Sequence, residues 1–176
     1  MNILNDTVCK WYRVGDLFTL QSGKVNSKDD QLEEGDDCIY LGAKKQSNSV
    51  ISRCYRNPDL IQQGNCILFI CDGQGSVGYT NYINREFIAT INITAGYNKN
   101  LNPYIGLFLV TILDLERPKY SYGRKWKKHL ADTKILLPAD EKSGEPDWVY
   151  MENFMKSIEQ KSKSKIIDLC QLNKEK

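Results

Sequence analysis

The chain has 176 residues, 24 cations against 22 acids, and a hydrophobic share of 41%, enough for one compact domain with an appendage. No apolar run approaches the roughly 20 residues that cross a bilayer, and the opening MNILNDTVCK has neither the cationic start nor the apolar stretch of a signal peptide. A membrane or secreted class is therefore set aside, a soluble cytoplasmic protein is expected, and at a net charge of +2 any strongly charged surface must be balanced elsewhere in the chain.

From Trp11 to about Ile93 the short segments WYRV, CIYLGA, SVISRCY, NCILFIC, VGYTNYI and EFIATINIT are rich in Ile, Val, Thr, Tyr and Phe and punctuated by Gly, Asn and Asp. They predict strands and a β-rich core. GDLFTL could hold a single helical turn capped by Asp16. Between Lys28 and Asp37 one cation faces six acids, Asp29, Asp30, Glu33, Glu34, Asp36 and Asp37, a negative loop that an anionic polymer would avoid.

Around Asn102 the period changes. Asn102 can cap a helix that starts at Pro103, and Ile105, Phe108, Leu109, Ile112 and Leu113 recur at helical spacing, so a buried helix is predicted that ends before Pro118. The next twelve residues, Arg117 to Lys128, carry six cations (Arg117, Lys119, Arg124, Lys125, Lys127, Lys128), three aromatics (Tyr120, Tyr122, Trp126) and no acid. Cations release counterions from phosphates and flat groups stack, so this is the composition of a nucleic-acid contact. Lys134 to Leu137 reads as one more strand, closed by Pro138.

The polar stretch ADEKSGEP, Ala139 to Pro146, marks a boundary between a domain over residues 1–140 and a linker with helix over 141–176. Asp147 is a plausible N-cap, and Trp148, Met151, Met155, Ile158, Leu169 and Leu172 follow three- and four-residue steps, interrupted by Ser162 and Lys165, with Ile166 off the stripe. Such a stripe suits a partner helix or the protein's own domain; the polar outer face, EQKSKSK, favours the partner.

Enzymatic signatures fail on context. Gly73, Gly75 and Gly78 form a GxGxxG after the apolar strand, but YTNYI favours a strand where a dinucleotide site needs a helix. A tight turn or a close backbone approach explains the glycines better. Six cysteines (9, 38, 54, 66, 71, 170) show no CxxC pair and His129 is the one histidine, which argues against a zinc finger. Cys38, Cys66 and Cys71 read as small buried hydrophobes in a reducing compartment. No nucleophile has a recognisable histidine base, and the early acids lack calcium-loop spacing. With no catalytic residue and no metal ligand set, a binding module is the expected class.

Taken in order, WYRVGDLFTLQSGK, CIYLGAKKQSNSV, ILFICDGQGSVGY, YIGLFLVTIL, KYSYGRKW and ILLP before a long helix, the chain resembles a target recognition domain of the specificity subunits of type I and related restriction-modification systems. The resemblance spans nearly the whole chain. It implies an α+β fold with a β-rich core and a long coiled-coil-type helix, no catalysis, and reading of half of a bipartite target in double-stranded DNA. It also implies docking of a methyltransferase subunit, which would carry S-adenosylmethionine, and in some systems of a restriction subunit. DNA-contact candidates are Lys44, Lys45 and Gln46 in the loop after a strand, Gln74 in the glycine turn, Tyr97, Lys99, Tyr120, Tyr122, Arg124, Lys125, Lys127 and Lys128. Lysines would position the duplex, while Arg124 and Gln46 can make paired hydrogen bonds to bases. A complete specificity subunit has two such domains and two helices; this sequence has one of each, so a truncated subunit or a natural half that pairs with itself is expected. Antiparallel helices of roughly 39 Å would then set two domains about one turn of B-DNA apart over an interrupted palindrome. An adaptor or inhibitor of restriction-modification subunits that does not read DNA is the alternative.

Overall fold

The structure, a computed structural model, describes residues 7–26, 32–73, 75–121 and 123–172; within the last range nothing is described of the Leu172 side chain. It is α+β, with nine strands and three α-helices among the described residues. The central strand is β5 (Cys66–Ile70), CILFI, and every one of its residues is buried. A strand apolar on both faces must be covered on both, and the alternation of its side chains shows how. Ile67 and Phe69 point into a cluster with Ile105, Phe108, Leu109 and Trp126, whereas Cys66 and Leu68 join Leu41, Phe87 and Ala89.

Three layers follow from this. The middle one is the four-stranded sheet in the order β2 (Thr19–Ser22), β8 (Ile93–Tyr97), β5, β6 (Thr80–Ile83). One face carries helix α2 (Pro103–Leu113), and the other meets a second sheet in the order β4 (Val50–Cys54), β3 (Glu34–Leu41), β7 (Phe87–Ala89). A two-stranded ribbon of β1 (Cys9–Arg13) and β9 (Lys134–Pro138) joins the ends of the domain. Helix α2 begins as its sequence dictates: the Asn102 carboxamide accepts hydrogen bonds from the Tyr104 and Ile105 amides at 2.9 and 3.0 Å, and Pro103 sits where no helical partner exists for its nitrogen. It lies close on β6 because Gly106 offers no side chain; a Cβ there would stand 2.2 Å from the Tyr82 ring.

Several details differ from the sequence reading. EFIATINIT divides between two sheets: β7 ends at Ala89, Thr90 bridges Val25, residues 91–92 turn, and β8 starts at Ile93. The crossing is fixed by Thr90 donating to Leu41 and Cys71 donating to Asn92. The short helix α1 (Val14–Leu17) has Arg13, not Asp16, at its N-cap, and Asp16 pairs with the Arg13 guanidinium at 3.8 Å. Regular α2 stops at Leu113, but a 3₁₀ helix carries the chain from Asp114 to Lys119 through Pro118. Strand β2 has no counterpart in the sequence reading.

The terminal helix α3 (Trp148–Leu172) is capped as expected, with the Tyr150 amide donating to Asp147 Oδ1 at 2.8 Å. Its stripe is not wholly free for a partner. Met151 is fully buried in the protein's own core, with Trp148, Phe154 and Met155 packed on the same cluster, while Ile158 is at the margin and Leu169 is exposed. Polar bonds tie the same turns to α2: Asn102 donates to Glu152 at 3.0 Å and Tyr104 to Glu159 at 2.8 Å. Trp148, Met151 and Met155 are therefore corrected to residues of the domain, and the apolar side chains left uncovered on α3 are Val149, Ile158, Ile166, Ile167 and Leu169. Among the described residues no helix is long and apolar enough to cross a membrane.

Candidate nucleic-acid interface

Strand β5 delivers the chain into a turn at 71–79 that closes on itself, with the Ile70 amide donating to Tyr79 and the Gly78 amide to Ile70. Gly73, Gly75 and Gly78 sit at φ of +133°, +71° and +90°, a region that costs other residues steric strain. At Gly78 there is also no room, since a Cβ would stand 3.0 Å from the Arg117 Cα. The glycines thus serve a turn with close backbone approach, as the sequence context requires.

Two segments pack against this turn. On one side, the loop after β3 is held by Ser76, whose hydroxyl donates to the Ala43 carbonyl at 2.9 Å. Ser49 donates to the Lys44 carbonyl at 3.0 Å, and Asn81 donates to Ser49 at 3.0 Å. Lys44, Lys45 and Gln46 are exposed at the tip of that loop. On the other side runs the basic tract. The Trp126 amide donates to the Cys71 carbonyl at 3.1 Å, the Lys125 ammonium pairs with Asp72 at 2.6 Å, and the Lys127 ammonium donates to the Ile91 carbonyl at 3.0 Å. Arg124 is bracketed by backbone hydrogen bonds with Ser121 and, like Lys128, is exposed. Two segments some 80 residues apart in sequence are brought to one end of the β5 layer, and both carry cations.

The acids lie elsewhere. Glu34 opens β3 and faces Cys54, while Leu41, after which the loop bearing Lys44 follows, faces Val50, so about 14 Å of β4 separates them. Asp36 pairs with Arg53 at 2.9 Å. Asp29 and Asp30 lie outside the described residues. At such a distance the acids are largely screened from the cationic end at physiological salt.

Not every predicted contact residue joins this surface. Trp126, counted with the stacking aromatics of the tract, is fully buried: its ring meets Phe69 edge-on at 5.5 Å and stacks on Tyr120 at 5.0 Å, and its indole N–H donates to Thr133 at 2.8 Å. It is a core residue. Tyr120 is half-buried beside it, its hydroxyl 3.1 Å from that of Thr133. Tyr97 and Lys99 are at the opposite end of the sheet, since Tyr97 is paired with Cys66 while Ile93 is paired with Ile70. The Tyr97 hydroxyl donates to the Gln63 carbonyl at 3.0 Å, and burial holds its proton on well above the usual range. Gln74 and Tyr122 lie outside the described residues. Asp72 was missed, although the Asp-Gly pair opening the turn marks it; a polar residue there anchors the turn through the Gly73 amide at 2.9 Å.

The thiols at the two ends of β5 are buried. Burial pushes the Cys66 thiol up to about 12 and the Cys71 thiol up to about 11, so both stay protonated at neutral pH and make weak nucleophiles. Among the described residues no group of His, Cys, Asp and Glu could hold a metal ion.

Comparison with known proteins gives the family and the fold. Residues 9–167 match the model of the type I restriction modification DNA specificity domain. A curated relative, the type II restriction enzyme BgcI specificity subunit S.BcgI of Heyndrickxia coagulans, is 23% identical over 158 residues, which are 90% of this chain and 46% of that protein. The chain therefore spans less than half of that relative's length. The fold matches the type I restriction-modification S subunit from M. genitalium with a TM-score of 0.62 at 17% identity, covering 98% of this chain and 44% of the other. It matches the HsdS subunit from Thermoanaerobacter tengcongensis with a TM-score of 0.61 at 18% identity, covering 92% and 39%.

Proposed function

The chain belongs to the family of type I restriction modification DNA specificity domains, and from that premise we propose that it reads one half of a bipartite duplex target and directs a separate methyltransferase to it. The observation that carries this reading is the convergence of the Lys44–Gln46 loop and the Arg124–Lys128 tract on one glycine turn, with the acids at the far end of β3. Lysines at 44, 45, 125, 127 and 128 neutralise phosphates and fix the register of the duplex. Gln46 and Arg124 have the paired donors and acceptors that distinguish bases in the major groove. The exposed end of α3, with Ile158, Ile166 and Leu169, pairs with a second specificity half or a second copy, and a methyltransferase subunit docks beside it, with a restriction subunit joining in the complete system. S-adenosylmethionine is held by that methyltransferase, and the assembly works in the cytoplasm.

The test is fluorescence anisotropy of labelled duplexes with the chain and its methyltransferase, over a salt series. Expected is sequence-selective binding whose logarithm falls with log salt by about 0.9 per phosphate contacted. Reversal of Lys125, Lys127 and Lys128 to Glu should abolish it while methyltransferase binding persists. Sequence-indifferent binding by the assembled complex would overturn the reading, and unaltered function after the triple reversal would mark an adaptor that does not read DNA.

A further inference from the structure

We propose that Arg117, stacked on Tyr79, is a specificity-determining residue that reads a guanine of the half-site through the major groove. This deepens the DNA-reading function proposed above and rests on it. The Arg117 guanidinium carbon lies 4.4 Å from the centre of the Tyr79 ring. A guanidinium held face-on to a ring keeps its in-plane N–H donors directed outward, and that fork fits the O6 and N7 acceptors of guanine.

Its surroundings leave it free to do so. Tyr79 ends the glycine turn, and the next residue, Thr80, donates from both amide and hydroxyl to Asp114 Oδ1, at 3.1 and 2.9 Å. That carboxylate belongs to the 3₁₀ helix bearing Arg117, so ring and guanidinium sit on two segments fastened to each other. Gly78 packs directly on the Arg117 backbone, which removes the remaining play. The other nearby acid, Glu116, is engaged by Lys119 at 2.6 Å. Arg117 is exposed and enters no ion pair among the described residues. It opens, with Tyr79, Gly75 and Ser121, on a shallow pocket, and Ser121 is hydrogen-bonded to Arg124. The pocket is thus continuous with the cationic end of the sheet. A pre-placed fork loses less freedom on binding than a lysine at the tip of a loop, which is why Arg117 suits base reading and Lys44 or Lys128 suits phosphate.

The experiment uses the full chain with its methyltransferase. A preferred duplex is selected from a random pool, and anisotropy is measured on it and on its single-pair substitutions for the wild type, Arg117→Lys, Arg117→Ala and Tyr79→Leu. Arg117→Lys keeps the charge and loses the fork. Expected are a loss of about tenfold or more in discrimination at one guanine position, a smaller loss at that position for Tyr79→Leu, and non-specific affinity within about twofold. Uniform weakening on all duplexes by Arg117→Ala, with the salt slope shallower by about one, would make Arg117 a phosphate contact and overturn the proposal. Unchanged selectivity in Arg117→Lys, or a lost position that is not guanine, would overturn it too. A wild type indifferent to sequence would instead defeat the function on which it rests.

Discussion

The basic tract and the terminal helix both divide between core and surface, but on different scales. In the tract the division alternates within a few residues: Tyr120 and Trp126 turn inward, and Arg117, Arg124, Lys127 and Lys128 turn out. In α3 it runs end to end, with Trp148, Met151, Phe154 and Met155 packed on the domain and residues 161–171 exposed. The difference follows from what each segment can do for itself. A helix supplies its own hydrogen bonds, so anchoring three turns holds the rest in line. An irregular loop has no ladder of its own, so a cationic loop keeps its shape only if side chains within it are pinned to the core.

Trp126 is the strongest test of that contrast. Arg or Lys lost from the surface leaves nothing behind, whereas Trp126→Ala empties the space between Phe69 and Tyr120 and removes the indole donor to the Thr133 hydroxyl. The lost ring should cost about 3–5 kcal/mol in urea unfolding, against about 0.5 kcal/mol or less for Lys128→Ala. Equal effects would mean that the tract is not held from within.

The helix gives the next pair. Met151→Ala, at a fully buried site, should cost about 2–5 kcal/mol. Leu169→Ala, on the exposed half, should stay within about 0.5 kcal/mol in dilute solution. If Leu169→Ala costs more, and by an amount that grows with protein concentration, the far half of α3 is already covered by another chain. Smaller again is the cap: Asp147→Ala removes the acceptor for the Tyr150 amide and should cost about 0.5–2 kcal/mol, read as a lowered Tm.

These contrasts explain how much the sequence could disclose. Both long helices and their caps were legible, because Asn102-Pro103 and Asp147 act on amides two or three residues away. The buried strand CILFI was legible from its unbroken apolar run. The direction of each aromatic in the tract was not, since a loop has no period and Trp126 is placed by Phe69, some 57 residues earlier. The split of EFIATINIT was equally hidden: both halves have strand composition, and only Leu41 and Cys71, through their bonds to Thr90 and Asn92, fix where the chain changes sheets. Tyr97 shared the composition of a contact residue, yet its strand register sends it to the other end. The cationic end itself was half legible. Composition identified its loops, and the serine and aspartate bonds that join them to the glycine turn are long-range.

The smallest effect concerns the acid in the glycine turn. Asp72 pairs with Lys125 at 2.6 Å while accepting the Gly73 amide, and Lys125 remains more than half exposed. Solvent screens such a pair, so Asp72→Asn, which retains the acceptor for Gly73, should change stability by less than about 1 kcal/mol. Its effect on binding has the opposite sign from that of a lost cation. Removing the carboxylate takes a negative charge from the cationic end, so the duplex should bind somewhat more tightly, most visibly at low salt. Weaker binding in Asp72→Asn would require the carboxylate to touch the duplex itself, as an acceptor for a cytosine amino group. The turn would then be a reading element in its own right, and the difference between pinned and exposed residues would no longer separate scaffold from contact at this end of the sheet.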